Sequence, residues 1–297
     1  MGDSDPRPRL LILGATGKLG RALARVWPAD RPALWQHRPG RVPPATPALE
    51  WDIARARAPL DQADRARIAG IVMLAGPTQA SPTLKAETVT LAQIAAGLGR
   101  RLSCRVLLAS SQAVYGARTG LLSEDSGCAP VGAYGRAKLA MEGAMFGQDH
   151  VTCLRIGNVV GCDALAAGIA AATPEAPVTL DRFAGGQGPR RAMIGPEDLA
   201  RVLIALMDAP ALPRVLNVAR PGSVAMAEVL RALGLPFDWR PAGPDALPDL
   251  ALDVSRLAAL CALPPGDAAD LARQGWPEGA PARATGPGGD ATRKARA

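Results

Sequence analysis

The stretch LLILGATGKLGRAL, residues 10–23, constrains the fold more than any other part of this chain. A short apolar run, Leu10–Leu13, meets Gly14, Gly17 and Gly20 and passes straight into a helical pattern. A buried strand must therefore turn sharply into a helix. The first glycine permits the turn, the second lets backbone approach a pyrophosphate, and the third lets helix pack on strand. The amides of the helix start then attract phosphate charge. Alone, such a triplet also serves as a packing turn, so the rest of the chain has to decide.

The chain around it repeats the same alternation. Residues 9–13, 33–37, 49–53, 70–76, 105–111 and 151–157 read as strands. Helical spacing fills 17–27, about 85–99 and 133–147. The strands are unbroken apolar runs, as expected when both faces are covered. The fold class is thus α/β, a doubly wound parallel sheet of Rossmann type with a small C-terminal substrate-binding lobe. Residues 7–160 form the nucleotide domain and 161–276 the lobe, of which about 196–219 returns to the sheet. A helix spans 163–172, and the segment VTLDRFAGGQGPRRAMIG reads as loop. Pro196 starts a helix over 196–210, a strand covers 214–219, and Ser223 and Gly234 cap a further helix. Residues 277–297, rich in Gly, Pro, Ala and Arg, are expected to be disordered.

Several function classes fall away. The net charge is +7, but much of it sits at the chain ends and no basic run is interleaved with aromatics, so nucleic acid is not an expected partner. The five cysteines contain no CxxC pair, which points to a reducing compartment rather than a disulfide framework. Two histidines leave little for a metal site or a histidine relay, and no metal is expected. No apolar stretch approaches the ~20 residues that span a bilayer. A soluble, cytoplasmic protein acting on a small molecule is the expectation.

Six ordered motifs sharpen it: GATGKLG (14–20), WDI (51–53), LAG (74–76), LLASSQAVYG (107–116), YGRAK (134–138) and LRIGNVVG (154–161), with PEDLA (196–200) beyond them. Over residues 9–263 this pattern resembles the extended short-chain dehydrogenase/reductases, the NAD(P)-dependent epimerase/dehydratase family. The resemblance implies cofactor contacts from Gly14, Thr16, Gly17, Lys18, Leu19 and Gly20, from Asp52 and Ile53 at the adenine, and from Leu74, Ala75, Gly76 and Ile156. It implies Ser111, Tyr134 and Lys138 as catalytic residues, the last two also touching the cofactor. Substrate contacts would come from Ser111, Gln112, Asn158 and Arg191. Members of the family often pair as homodimers through helices of the nucleotide domain.

The chemistry suits those residues. Tyr134 and Lys138 are four apart on a helix and share a face. A free phenol, pKa ~10, is a poor base at neutral pH, and a nearby ammonium is expected to lower it. Tyr134 then moves the proton on a carbinol or ketone oxygen held by Ser111, while hydride exchanges with nicotinamide. Arg38, eighteen residues past Gly20, stands where NAD-dependent relatives carry an acid. Its charge favours NADP(H), with NAD(H) the alternative. Nucleotide-sugar dehydratases of the family carry Asp-Glu after the catalytic Ser or Thr; here Gln112 and Ala113 stand instead. A reductase is slightly favoured over an epimerase, and a non-catalytic NADP-binding redox sensor or assembly factor is the alternative from another class. Thr88 occupies a place where the family often has Asn.

Overall fold

The structure, a computed structural model, describes residues 7–279. The tail expected to be disordered lies, from residue 280 on, outside the described residues. Seven strands build the main sheet: β1 (Arg9–Leu13), β2 (Ala33–His37), β3 (Ala48–Glu50), β4 (Ile68–Met73), β5 (Arg105–Ser111), β6 (Val151–Ile156) and β7 (Val215–Val218). All pair in parallel, in the order β7-β6-β5-β4-β1-β2-β3. The order reverses between β1 and β4, and in such sheets a crevice opens there, beyond the carboxyl ends. Register aligns those ends: Leu13 faces Met73, Met73 faces Leu108, and Ser111 faces Ile156.

The flanking helices are α1 (Lys18–Val26), α2 (Gln62–Arg67), α3 (Leu84–Arg101), α4 (Ala133–Ala144), α5 (Ala164–Ala171) and α6 (Pro196–Asp208). Alternate strand residues serve two separate cores. Ile12, Val72, Leu107 and Leu154 pack with Leu199, Leu203 and Leu206 of α6. Leu11, Leu13, Ile71 and Leu108 pack with Ala92, Ala95 and Ala96 of α3 and with Met141 of α4. Burial on both faces is why the strands read as apolar runs without alternation. A third core, with Leu165, Ile169, Leu180, Leu230 and Leu271, underlies the C-terminal lobe.

The lobe departs from several expectations. The segment read as loop contains strands Val178–Arg182, Arg190–Arg191 and Met193–Ile194. Each is completed by a distant partner: Phe237–Pro241, Val224–Ala225 with Asp249–Leu252, and Asn158–Val159. Short strands whose partners lie far along the chain leave little local pattern. The helix near 223 starts at Met226, with Ala225 as its cap. Ser223 instead accepts a hydrogen bond from Arg190 Nε at 3.3 Å. Gly234, at φ +66°, does follow the helix end. β3 stops at Glu50, because Trp51 begins a turn in which its indole donates to the Ala56 carbonyl at 2.8 Å.

Candidate functional site

The glycine turn is built by sterics. Gly14 has φ +91°, and a Cβ there would lie 2.5 Å from the Ala75 amide nitrogen. A Cβ on Gly20 would lie 2.5 Å from the Gly14 and Ala15 carbonyl oxygens, so only glycine lets α1 press on the turn. Gly17 differs: the nearest atom to an added Cβ is the Gly14 oxygen, at 3.4 Å. No protein group crowds it, and Gly17 caps α1 without any side-chain hydrogen bond. An uncapped helix start beside open backbone fits a phosphate. The Gly14 amide donates to Gln36 Oε1 at 2.8 Å, and Gln36 Nε2 donates to the Trp51 carbonyl at 2.6 Å. Gln36 thus ties the turn to the end of β3. Sequence reasoning missed it; a lone amide inside an apolar strand was the available signal.

A cleft of about 1010 Å³ runs from this turn across the carboxyl ends of β4, β5 and β6. Gly14, Gly17, Lys18, Leu19 and Gly20 line one end of it. Leu74, Gly76, Ser111, Gln112, Tyr134, Lys138, Ile156 and Asn158 line the rest. Ser111 ends β5, and Tyr134 and Lys138 lie on the first two turns of α4. Gly135 is what brings them together, since any Cβ there would strike the Ala113 carbonyl just after Ser111. Ser111 Oγ accepts from the Ala113 amide at 3.2 Å, and its hydroxyl lies on the cleft wall with the Tyr134 phenol. Lys138 is 6% exposed; its Nζ lies 5.6 Å from the Tyr134 ring centre and donates to the Ala109 carbonyl at 2.7 Å.

The electrostatics differ from the expected pattern. Burial raises the Tyr134 phenol above its ordinary value, and the neighbouring Ser111 hydroxyl opposes that rise. The ammonium expected to lower it is itself pulled down to about 8 by burial, and its hydrogen bond goes to backbone. Ser111 is therefore a group that eases ionisation of the phenol here.

Behind the cleft lies a polar network that sequence reasoning also missed. Ser110 Oγ donates to Glu142 Oε1 at 2.5 Å, and Arg155 forks onto the same carboxylate, Nη2 to Oε2 at 2.8 Å. Arg155 Nη1 also donates to the Tyr115 hydroxyl at 3.1 Å, which donates to Asn217 Oδ1 at 2.7 Å. The network couples β5, α4, β6 and β7. A charged residue inside the apolar strand VTCLRI was the clue.

Other expected residues sit elsewhere. Asp52 accepts from the Ala54 amide at 3.2 Å and lies 3.7 Å from Arg55 Nε; Ile53 is buried in the α3-side core. Neither lines the cleft, nor do Thr16, Ala75 or Arg38. Ala75 packs against Gly14, the Thr16 carbonyl accepts from Arg21 Nε at 3.2 Å, and Arg38 is exposed just past β2. Arg191 does not line the cleft either, and its Nη1 donates to the Arg190 and Leu247 carbonyls at 2.7 and 2.9 Å. Thr88 is buried and donates to the Leu84 carbonyl of its own helix at 2.7 Å. Among the described residues there is no cluster suited to a metal ion, and no helix long and apolar enough to cross a membrane.

A parallel sheet with a glycine turn at its switch point, and a cleft over the carboxyl ends, defines a dinucleotide-binding fold. The model of the NAD dependent epimerase/dehydratase family matches residues 10–219, and the chain belongs to that family. It is accordingly an NAD(P)-dependent enzyme. Solved structures agree with this fold. MoeE5 in complex with UDP-glucuronic acid and NAD is 22% identical, with TM-score 0.69, covering 91% of this chain and 99% of its own. The UDP-glucuronic acid 4-epimerase from Bacillus cereus, with UDP-glucuronic acid and NAD, is 16% identical, with TM-score 0.71, over 91% and 98%. TunA, an NAD-dependent NDP-hexosamine 5,6-dehydratase, is 20% identical, with TM-score 0.71, over 92% and 98%. Comparison with curated protein sequences gives no match.

Proposed function

We propose that this enzyme epimerises a nucleotide sugar at one carbinol carbon, with Tyr134 as the acid and base. The observation that carries the reading is that Ser111, Tyr134 and Lys138 converge in one cleft continuous with the phosphate turn. The Gly17 backbone and the α1 start would hold the coenzyme pyrophosphate, and Lys138 its nicotinamide ribose. Bound there, the coenzyme accepts or supplies a hydride. Ser111 holds the substrate oxygen against the phenol. Tyr134 takes the hydroxyl proton as the carbinol becomes a ketone, and returns it when the carbinol re-forms. Tyr134 needs no second carboxylate for either step. Gln112 and Ala113 occupy the places where dehydratases of the family carry Asp-Glu, so no acid–base pair stands ready for elimination. Solved relatives bind UDP-glucose or UDP-glucuronic acid, which supports a nucleotide sugar as substrate.

Arg38, exposed beside the end of β2 with no acid in its place, supports NADP(H) over NAD(H). The same feature favours a second reading, a reductase that exchanges NADPH on each turnover.

A panel of nucleotide sugars, followed by NMR of the products and by coenzyme absorbance, tests the reading. An epimerase converts one sugar to its epimer with no net change in coenzyme; a reductase consumes NADPH in proportion to product. Tyr134→Phe should lower turnover by ~10²–10⁴-fold with the fold unchanged. Full activity in that variant excludes the proton-transfer role.

A further inference from the structure

We infer that Gln112 selects the substrate group beside the reacting carbon, and that it selects a hydrogen-bond donor, a hydroxyl or N–H, over a carboxylate. The inference rests on the nucleotide-sugar reading above, which sets what enters the cleft.

The argument starts from a relay of three side chains on its wall. Asp163 caps α5, with Oδ1 accepting from the Ala166 amide at 3.0 Å. Its other oxygen, Oδ2, accepts from Asn158 Nδ2 at 2.9 Å. An ionised carboxylate can only accept, so Asn158 must turn its nitrogen toward Asp163 and its oxygen the other way. That oxygen accepts from Gln112 Nε2. The direction of each amide is thereby dictated from the charged end. What remains is Gln112 Oε1, a buried carbonyl oxygen with no hydrogen-bond partner. Gln112 is only 9% exposed, lines the cleft, and directly follows Ser111.

A buried acceptor without a partner gains most from a ligand that supplies one. A sugar hydroxyl next to the carbon held by Ser111 and Tyr134 does so. A carboxylate in that place sets oxygen against oxygen, in line with the negative charge of Asp163 beyond the two amides. The relay thus discriminates by refusing an anion as well as by welcoming a donor.

Calorimetry on the full chain with saturating coenzyme tests this, using UDP, UDP-glucose and UDP-glucuronic acid as probes. Wild type should bind UDP-glucose about tenfold or more tightly than UDP-glucuronic acid. Gln112→Leu should weaken UDP-glucose by about tenfold and leave UDP within about twofold. Asp163→Asn, isosteric but able to donate, frees the relay to reverse and should narrow the ratio between the two sugars. It serves as the test where Gln112→Leu does not fold. Equal or tighter binding of UDP-glucuronic acid by wild type, or a ratio untouched in both variants, overturns the inference alone, since UDP still binds. Failure to bind UDP at all defeats the nucleotide-sugar reading, and this inference with it.

Discussion

The strand β5 and helix α4 have two sides, and the contrast between them explains how this enzyme is organised. Neighbouring serines mark it. Ser110 points back into the Glu142–Arg155–Tyr115–Asn217 network, where each of these polar side chains is matched. Ser111 points forward into the cleft, where Gln112 Oε1 has no partner and Lys138 is buried against one backbone carbonyl. Glu142 is two helical turns from Tyr134 on the same helix. The back of the pair fixes geometry; the front keeps hydrogen-bonding capacity open for ligands. Functional groups held by a satisfied supporting layer are what precise positioning requires.

The contrast can be broken from either side. The largest effect is expected at the back. Glu142→Ala removes the anion from a buried guanidinium and a buried hydroxyl, and should cost about 3–5 kcal/mol in chemical unfolding. A loss below about 1 kcal/mol would mean that the network does not hold β5 to α4.

At the front the sign reverses. Lys138 has its pKa lowered by burial from 10.5 to about 8, so between those values the unfolded chain binds more protons and stability rises with pH. Below pH 8 the buried ammonium costs stability in full. Lys138→Met should therefore stabilise the coenzyme-free protein at pH 7 by roughly 2–3 kcal/mol, after the lost bond to Ala109 is counted. The gain should fade as pH rises from 8 to 10.5. Denaturant curves at pH 7 and pH 10 check this; destabilisation at both would show that Lys138 is structural, and would remove the contrast.

Much of this was legible in the sequence for a physical reason. Sheet strands buried on both faces leave apolar runs, and steric turns such as Gly14 and Gly20 admit no other residue. The Tyr134–Lys138 spacing is local to one helix. What sequence could not give depended on partners far along the chain. Gln36 reaches the turn at Gly14, Arg155 reaches Glu142, and Asn158 reaches Gln112 and Asp163 only once the sheet has formed. Arg191 shows the same dependence on distant partners: a cation suited by type to a diphosphate has its Nη1 on the Arg190 and Leu247 carbonyls. The lobe strands failed for the same reason, being two to five residues long and paired at a distance.

The central claim, that a coenzyme lies on the glycine turn and runs to Tyr134, meets its most direct test at Gly17. An added methyl there finds nothing of the protein nearer than 3.4 Å, so Gly17→Ala should fold as wild type does. Calorimetric titration should then show one NADP(H) bound per wild-type chain, more tightly than NAD(H), and a loss of about tenfold or more in Gly17→Ala. A folded Gly17→Ala protein with undiminished affinity would place the coenzyme elsewhere and contradict the account.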